Sequence, residues 1–548
     1  MDNFKDLNSL FLEKSAKFPD STFSSSSPNP TNGYVYENIT FSELSDLVDR
    51  LAYAFVNTFD VGRGDKVAII GRPHPKWAAS FFATQRVGAI GVPISYNFTS
   101  EEIRRILNES EAKLAIVQSD KHSVVAEKFN QLSYLQNLVV YGGEAEEGFR
   151  TWESYLTEET YTEEANVNKD DTAVLMYTSG TTGHGKGVML SHKNLLVNVR
   201  DIAQALDVSP ADCFVSILPW DHIYGLTTTL LIPLDFGASM VYTVDYRNLP
   251  KVLKEHNATI LLGVPKLLNA LYDEIIQEIK SKWLTRLLYR SLPSLLRSGV
   301  KRKFAGKQFR FTVSGGAPLN HEISEGLRNL GIGVMEGYGL TETSPVLTFT
   351  PDPFNEKPGS VGLALQSVEL KLTEADENDI NEVLARGPNV MKGYYKNKNK
   401  TDEVLEDNGW LHTGDSGRMD EDNWLYLNGR KKNVIVLESG NNVYPEEVEG
   451  ELEKISYIDD VMVRQSWRKN RPVVSAVIYP DFEKLEEDNI TNLETIKSVL
   501  WEKIKVQSKN LAYFMRIKSK QDIEVLEEPF EKTPTLKVKR YLYQDQEE

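Results

Sequence analysis

Glycines, hydroxyls and one lysine crowd together in Tyr177-Thr178-Ser179-Gly180-Thr181-Thr182-Gly183-His184-Gly185-Lys186-Gly187. A polyphosphate needs such groups around it. Glycine permits tight turns that aim backbone N–H groups at an anion, hydroxyls donate hydrogen bonds, and lysine adds a mobile positive charge. Gly180-x4-Gly185-Lys186 satisfies the start of the nucleoside-triphosphatase P-loop pattern, but Gly187 stands where that pattern needs a Ser or Thr to hold Mg²⁺. Phosphate binding is expected without ordinary P-loop chemistry. The plain alternative is a ligand-free connector between a strand and a helix.

Four further segments carry chemistry. Ser314-Gly315-Gly316-Ala317-Pro318 suits close backbone approach to a flat ligand. Glu336-Gly337-Tyr338-Gly339-Leu340-Thr341-Glu342-Thr343 combines a ring to stack on a base, a hydroxyl for a phosphate and a carboxylate, Glu342, for Mg²⁺. Gly409-Trp410-Leu411-His412-Thr413-Gly414-Asp415 ends in a carboxylate suited to two ribose hydroxyls. Lys532-Thr533-Pro534-Thr535-Leu536-Lys537-Val538-Lys539-Arg540 concentrates positive charge near the C-terminus. Taken singly, Tyr338 could be a packed aromatic, Asp415 a helix cap and Lys537 part of a solvated tail.

The elements that must position these segments alternate between strand-like and helix-like, which predicts an α/β architecture with largely parallel sheets. Thr40-Phe41-Ser42-Glu43 is a capping box, followed by Leu44, Val48, Leu51 and Phe55 at helical spacing. Residues 65–71 read as a strand and 77–87 as a helix stopped by Gly88, while 114–117, 172–177, 241–244, 259–262 and 309–313 are short β-rich runs. Glycine-rich loops that follow strands lie where open α/β sheets bind ligands. A composition change at Gly429-Arg430-Lys431-Lys432-Asn433 marks a boundary. Beyond it a strand at 434–437, a Ser439-Gly440-Asn441-Asn442 turn and a helix after Pro445 predict a small α+β domain.

At 548 residues the chain exceeds one compact core, and roughly three or four domain-sized units are expected. A formal net charge of −17 argues against general nucleic-acid binding and requires a local basic site for any anionic ligand. The single cysteine, Cys213, excludes an internal disulfide and a cysteine-based zinc cluster. The N-terminus lacks a basic region followed by an apolar core, and no run approaches the length of a membrane span. A soluble or peripheral protein of the cytoplasm is expected.

Together and in this order, the five segments resemble the adenylate-forming superfamily of acyl-CoA synthetases, nonribosomal-peptide adenylation domains and beetle luciferases, over roughly residues 40–540. The resemblance implies a large AMP-binding domain over 1–429, with mostly parallel sheets flanked by helices and a β-barrel-like subdomain. It also implies a hinge at 430–432 and a small mobile α+β lid over 433–548. Its members join a carboxylic acid to AMP with loss of pyrophosphate, then pass the acyl group to a thiol. On the matching positions, Thr178, Ser179, Gly180, Thr181, Thr182, Gly183 and Lys186 would cradle the β- and γ-phosphates of ATP. Gly316, Ala317, Pro318, Gly337 and Tyr338 would hold adenine, with Gly339 in the same nucleotide-binding loop. Thr341 would meet the α-phosphate, Glu342 and Thr178 the Mg²⁺, Asp415 the ribose, and Arg430 the phosphate and ribose. Lys432 matches the hinge. Lys537 matches the lysine that bridges substrate carboxylate and α-phosphate, with Lys539 as its competitor. Leu536 and Gly185 depart from the usual Gly and Pro of the family pattern.

For the acid, His222 matches a family position beside the acyl group, and its apolar neighbours Leu226, Leu230, Leu231 and Ile232 favour an aliphatic chain, unless they form a core helix. Residues 279–321 contain no acidic residue. Within them Trp283, Leu284, Leu287, Leu288, Leu292, Leu295 and Leu296 run beside Lys280, Lys282, Arg286, Arg290 and Arg297, a pattern suited to an anionic bilayer contacted through 279–310 or to a solvated surface helix pair. Long-chain acyl-CoA synthetases resemble this stretch. The reading is an ATP- and Mg²⁺-dependent ligase joining a medium- to long-chain fatty acid to coenzyme A, which residues 439–444 would contact. A carrier-protein or aryl-acid ligase and a non-catalytic nucleotide- or acyl-binding protein are the alternatives. The oligomeric state is left open, a homodimer included.

Overall fold

The computed structural model describes residues 4–26, 37–178, 185–243, 249–291, 296–469, 471–533 and 537–545. The chain divides into two compact units. One holds Met1–Thr178, Lys186–Glu369 and Arg386–Gly409, and the other Leu370–Ala385 and Trp410–Glu548.

The first unit is built on two large sheets. One runs in the order Gly393–Tyr394, Lys186–Ser191, Thr172–Thr178, Ile90–Ile94, Lys66–Ile70, Ala112–Gln118, Asn137–Tyr141, Arg150–Thr151. It is parallel from Thr172–Thr178 to Arg150–Thr151 and antiparallel at its Lys186–Ser191 end. Lys66–Ile70 and Ala112–Gln118 read in sequence as short apolar runs because both faces are covered. Over one face lies Pro75–Arg86, in which every residue but Lys76 is buried, with Trp77 stacked on Phe81 at 5.6 Å and tilted against Trp220 at 5.3 Å. It stops near Gly88, which adopts φ +72°, as expected. The predicted capping box is formed: Thr40 caps Phe41–Asn57, whose Leu44, Val48, Leu51 and Phe55 face the core.

The other sheet runs Leu363–Ala364, Val346–Phe349, Gly333–Gly339, Phe311–Ser314, Ile260–Gly263, Cys213–Ser216, Ser239–Tyr242, Thr22–Ser26, Glu37–Thr40. Its central strands are parallel, and Ser216 pairs Leu262, Gly263 pairs Ser314, and Ser314 pairs Glu336. The loops that follow Ser216, Ser314 and the Gly333–Gly339 strand therefore leave one edge of one sheet, its carboxyl end.

In the second unit, Ile458–Arg468 and Arg471–Pro480 form a long antiparallel pair, with Ile523–Val525 parallel to the latter. The helices Pro445–Leu452 and Leu493–Gln507 pack on it around Val448, Leu452, Val463, Ala476, Leu500 and Ile504. Where the large domain was expected to carry a β-barrel-like subdomain, and just beyond it, the described strands form small open ladders: Glu369–Leu372, Val383–Arg386 and Leu411–His412; Asp415–Met419 with Leu425–Arg430; and Ile435–Val436 with Asn442–Val443. The strand expected over 434–437 shrinks to two residues. Among the described residues no helix is long and apolar enough to cross a membrane.

Candidate active site

Thr172–Thr178 and Lys186–Ser191 are antiparallel neighbours, with Tyr177 opposite Gly187 and Thr178 opposite Lys186. The two strands that flank the glycine-rich segment thus pair as a hairpin, and a helix starts only at His192. Topology removes both the P-loop and the strand-to-helix connector, because no helix N-terminus follows the loop to offer its dipole to an anion. The Thr178 hydroxyl donates to the Lys186 carbonyl at 3.5 Å. Ser179, Gly180, Thr181, Thr182 and Gly183 lie outside the described residues.

Lys186 projects its Nζ over the ring of Tyr394, 4.5 Å from the centroid, and the Tyr394 hydroxyl donates to Glu342 Oε1 at 2.8 Å. One aromatic side chain therefore joins the expected phosphate lysine to the expected metal carboxylate. Tyr394 was missed in the sequence, where its only signal is a Gly-Tyr-Tyr run after Lys392. It arrives because Gly393–Tyr394 adds to the far side of Lys186–Ser191, with Tyr394 opposite Val188.

Glu342 sits in a single 3₁₀ turn, Thr341–Thr343, ended by Ser344 at φ +70°. Such a turn leaves carbonyls without ladder partners, and buried asparagines bond the turn and the segments that flank it. Asn389 Nδ2 donates to the Thr343 carbonyl at 2.9 Å and to that of Val346 at 3.3 Å. Asn198 Nδ2 donates to Val346 O at 2.8 Å while its Oδ1 accepts from Val346 N at 3.2 Å. Asn194 Nδ2 reaches the carbonyls of Pro388 and Val390, each at 2.8 Å. The Met391 amide donates back to the Glu342 carbonyl at 2.8 Å. Gly339 is required here, since a Cβ would overlap the Pro345 carbonyl.

At the carboxyl edge of the second sheet, Gly316, Ala317 and Pro318 are exposed, and Gly316 adopts φ +84° with open space where a Cβ would point. Gly337, Tyr338, Gly339 and Thr341 are half-buried beside them in the sheet order. Glu336, at the junction, is buried, and its backbone-facing carboxyl accepts from Leu319 N–H. Burial first, then the Glu356 charge, push its pKa up to about 8 against the pull of Arg328. His222 caps Ile223–Gly225, its Nδ1 accepting from the Tyr224 amide at 3.4 Å. Tyr224 crosses to the Gly315 loop, where a Cβ would crowd its ring, and donates to the Gly263 carbonyl at 3.3 Å. Leu226, Leu230, Leu231 and Ile232 correct the pocket expectation. They lie in a helix containing a π turn over Leu226–Leu231 and are core residues, each at most 1% exposed.

In the second unit, Asp415 and Arg430 are cross-strand partners, and Arg430 Nε meets Asp415 Oδ1 at 2.9 Å. Arg430 Nη1 also donates to the Thr413 carbonyl at 2.9 Å. Glu382 holds the turn between them, accepting from Gly414 N at 2.8 Å and contacting His412 Nδ1 at 3.2 Å. Lys432 is exposed in a 3₁₀ turn, Lys431–Asn433. Lys537 is exposed, yet the protein packed around it desolvates its charge. That desolvation, and then the Arg430 charge, push its pKa down from the usual 10.5, with Asp415 pulling the other way. Lys539 instead lies 3.6 Å from Glu531. Of the two competing lysines, Lys537 is the one within electrostatic reach of Asp415 and Arg430.

Among the described residues no cluster of three or more His, Cys, Asp or Glu could cage a metal. A lone carboxylate such as Glu342, held on one oxygen by Tyr394, fits Mg²⁺ in the way that ion is usually bound, by one or two carboxylates together with phosphate oxygens. Mg²⁺ and nucleotide should then bind together. Asn389→Ala would free the Thr343 and Val346 carbonyls from one donor and loosen the Glu342 turn. Mg²⁺–ATP affinity is expected to fall about 10-fold, or ~1.4 kcal/mol, with ATP binding in EDTA little changed. Isothermal titration in the two buffers checks this, and equal losses in both would contradict it.

A model of the AMP-binding enzyme family matches residues 11–395. The long-chain-fatty-acid–CoA ligase of Yersinia pestis is 31% identical over 453 residues, which cover 75% of this chain and 76% of that one. The 4-coumarate–CoA ligase 3 of Oryza sativa subsp. japonica is 29% identical over 500 residues, covering 86% and 84%. A crystal structure of an anthranilate CoA ligase in complex with anthranoyl-AMP shares the fold, with a TM-score of 0.81 at 20% identity, covering 99% of this chain and 97% of that one. With a hairpin tip, a carboxylate turn and two exposed loops in the motif order of that superfamily, this chain belongs to the AMP-binding, adenylate-forming enzymes.

Proposed function

We propose that this chain is an acid–thiol ligase. It would join a medium- to long-chain fatty acid to AMP with loss of pyrophosphate, then transfer the acyl group to coenzyme A. The observation that carries the reading is the Lys186–Tyr394–Glu342 constellation, a cation and a carboxylate held on one aromatic side chain beside a glycine-rich hairpin. The acid–CoA ligases among its relatives add support.

In the first step a substrate carboxylate oxygen would attack the α-phosphorus, a new P–O bond forming as the bond to pyrophosphate breaks. Negative charge gathers there, and fixed cations lower the barrier. Lys186 would face the departing phosphates and Lys537 the carboxylate and α-phosphate. Asp415 would accept from the ribose, with its other side held by Arg430. In the second step the coenzyme A thiolate would attack the acyl carbonyl and expel AMP. Lys537 has no part in that attack, which supplies a reason for a hinge at Lys432 that removes it.

The Trp283–Ser291 helix supports a membrane source for the acid. Trp283 is 77% and Leu287 54% exposed, four residues apart on one face with Arg286 between them, and Lys280 and Lys282 are exposed nearby. Val300 and Phe304 are buried, and Tyr289 and Leu296 pack against the same core, while the side chains of Leu284, Leu288, Arg290, Leu292 and Leu295 lie outside the described ones.

Pyrophosphate release measured across acids of increasing chain length, with an aryl acid beside them, tests the function. Release should depend on the acid and rise from short to long alkyl chains. A preference for the aryl acid would move the protein to the aryl-acid ligases, and release independent of any acid would end the ligase reading.

Because its pKa is depressed, Lys537 should lose its proton at lower pH than an ordinary lysine, so acyl-AMP formation should fall on the alkaline side before pH 10.5. Lys537→Arg keeps the charge at all these values, and the alkaline limb of its residual rate should move upward. An unmoved limb would assign that limb to another group.

Trp283→Ser with Leu287→Ser should abolish flotation with anionic liposomes at low salt and leave pyrophosphate release from a short, soluble acid unchanged. Equal flotation of variant and parent would place the membrane contact elsewhere or remove it.

A further inference from the structure

Lys537 is carried by a short antiparallel pairing of residues 531–533 with 537–539. Lys532 and Val538 form an isolated antiparallel bridge, the Thr533 amide donates to the Lys537 carbonyl at 2.8 Å, and the Lys537 amide donates to Thr533 Oγ1 at 3.2 Å. The Lys539 amide closes the base on the Glu531 carbonyl at 2.9 Å. Two turns of such bonding cannot fix a lysine ammonium by themselves, because an isolated hairpin is marginal in water.

Three residues after Lys537, Arg540 supplies the missing anchor. Its Nη2 donates to both carboxylate oxygens of Glu449, on the Pro445–Leu452 helix, and its Nη1 donates to the Val463 carbonyl at 2.9 Å, on the Ile458–Arg468 strand. Glu449 Oε1 accepts in turn from the Val463 amide at 2.6 Å. The Glu449 side chain is 12% exposed and that of Arg540 24%. Helix, strand and hairpin meet at one planar, multiply bonded pair, a geometry that Arg satisfies and Lys does not.

We infer that Arg540 and Glu449 are positioning residues for Lys537, fixing the hairpin that presents it for acyl-AMP formation. The inference rests on the proposed function for the role of Lys537, and on geometry alone for the clamp. An error of an ångström in a reacting group costs up to about 100-fold in rate. Losing the fork of Arg540 should therefore fall on the step that uses Lys537 and spare the one that does not.

Arg540→Lys and the isosteric Glu449→Gln test it, each first compared with the parent for thermal midpoint. Single-turnover acyl-AMP formation should fall about 10- to 100-fold in each, while transfer from supplied acyl-AMP to coenzyme A changes less than about 3-fold. On a Lys537→Ala background the same substitutions should add no further loss to acyl-AMP formation. Equal falls in both half-reactions, or the full loss repeated on the Lys537→Ala background, would overturn the inference. Hydrogen–deuterium exchange of the Lys537 and Lys539 amides is the readout independent of activity. Faster exchange in both variants sustains the clamp even if no acid releases pyrophosphate, and unchanged exchange rejects it even if the ligase reading stands.

Discussion

The backbone ladder through Lys186–Ser191 is the constraint on which the first unit's site depends. This strand has Thr172–Thr178 on one side and Gly393–Tyr394 on the other. The first pairing fixes both ends of the glycine-rich tip. The second places Tyr394 opposite Val188, two residues from Lys186 and therefore on the same face, at the diagonal spacing that long and aromatic side chains span. A slip of one residue in either pairing would turn the ring or the lysine to the opposite face. Cation and ring are thus registered by main-chain hydrogen bonds.

The carboxylate half of that arrangement is held by a different device. A 3₁₀ turn with an αL residue after it cannot join a ladder, so its carbonyls must find donors elsewhere in a buried setting. Asn389 supplies one to the Thr343 carbonyl, Asn198 donates to and accepts from Val346 just beyond the turn, and Asn194 holds the Pro388 and Val390 carbonyls that flank Asn389, none of the three more than 6% exposed. A hydroxyl has one proton where an amide has two, and an apolar side chain would leave the carbonyls unsatisfied at about 1–3 kcal/mol each. Together with the Met391 amide, these bonds fix the turn that carries Glu342.

This division explains what the sequence disclosed. The groups expected to touch ligand come in local runs, so the glycine-rich segment, the Gly337-Tyr338-Gly339 loop and Asp415 could be singled out as candidates from type and spacing. Groups that act through a partner distant in the chain could not be. Nothing local marks Tyr394 as the neighbour of Lys186, or Asn198 as the partner of Val346, because pairing over about 150 to 200 residues is decided by sheet order. The P-loop likeness arose for the same reason, since its spacing says nothing about whether strand or helix comes next. Apolar periodicity misled in the other direction. Leu226, Leu230 and Leu231 have the composition of an acyl pocket and the burial of a core, and periodicity cannot separate the two.

A chain of net charge −17 that handles a triphosphate must keep some cations uncommitted. Most of its basic side chains near the chemistry are paired: Arg430 with Asp415, Lys532 with Asp460, Lys539 with Glu531, Arg540 with Glu449. Among the described residues, Lys186 and Lys537 have no carboxylate within ion-pair distance. Lys186 is steadied by an aromatic face, an attraction of about 0.5–2 kcal/mol that an incoming phosphate can outbid, because two unit charges 4 Å apart interact by about 4 kcal/mol near a protein surface. The Lys537 backbone is held by its pairing with Thr533, while desolvation and the Arg430 charge depress its pKa. A carboxylate beside either lysine would secure its position and forfeit its charge for the ligand. Holding each by its ring contact or its backbone leaves the charge available where the reaction develops its own.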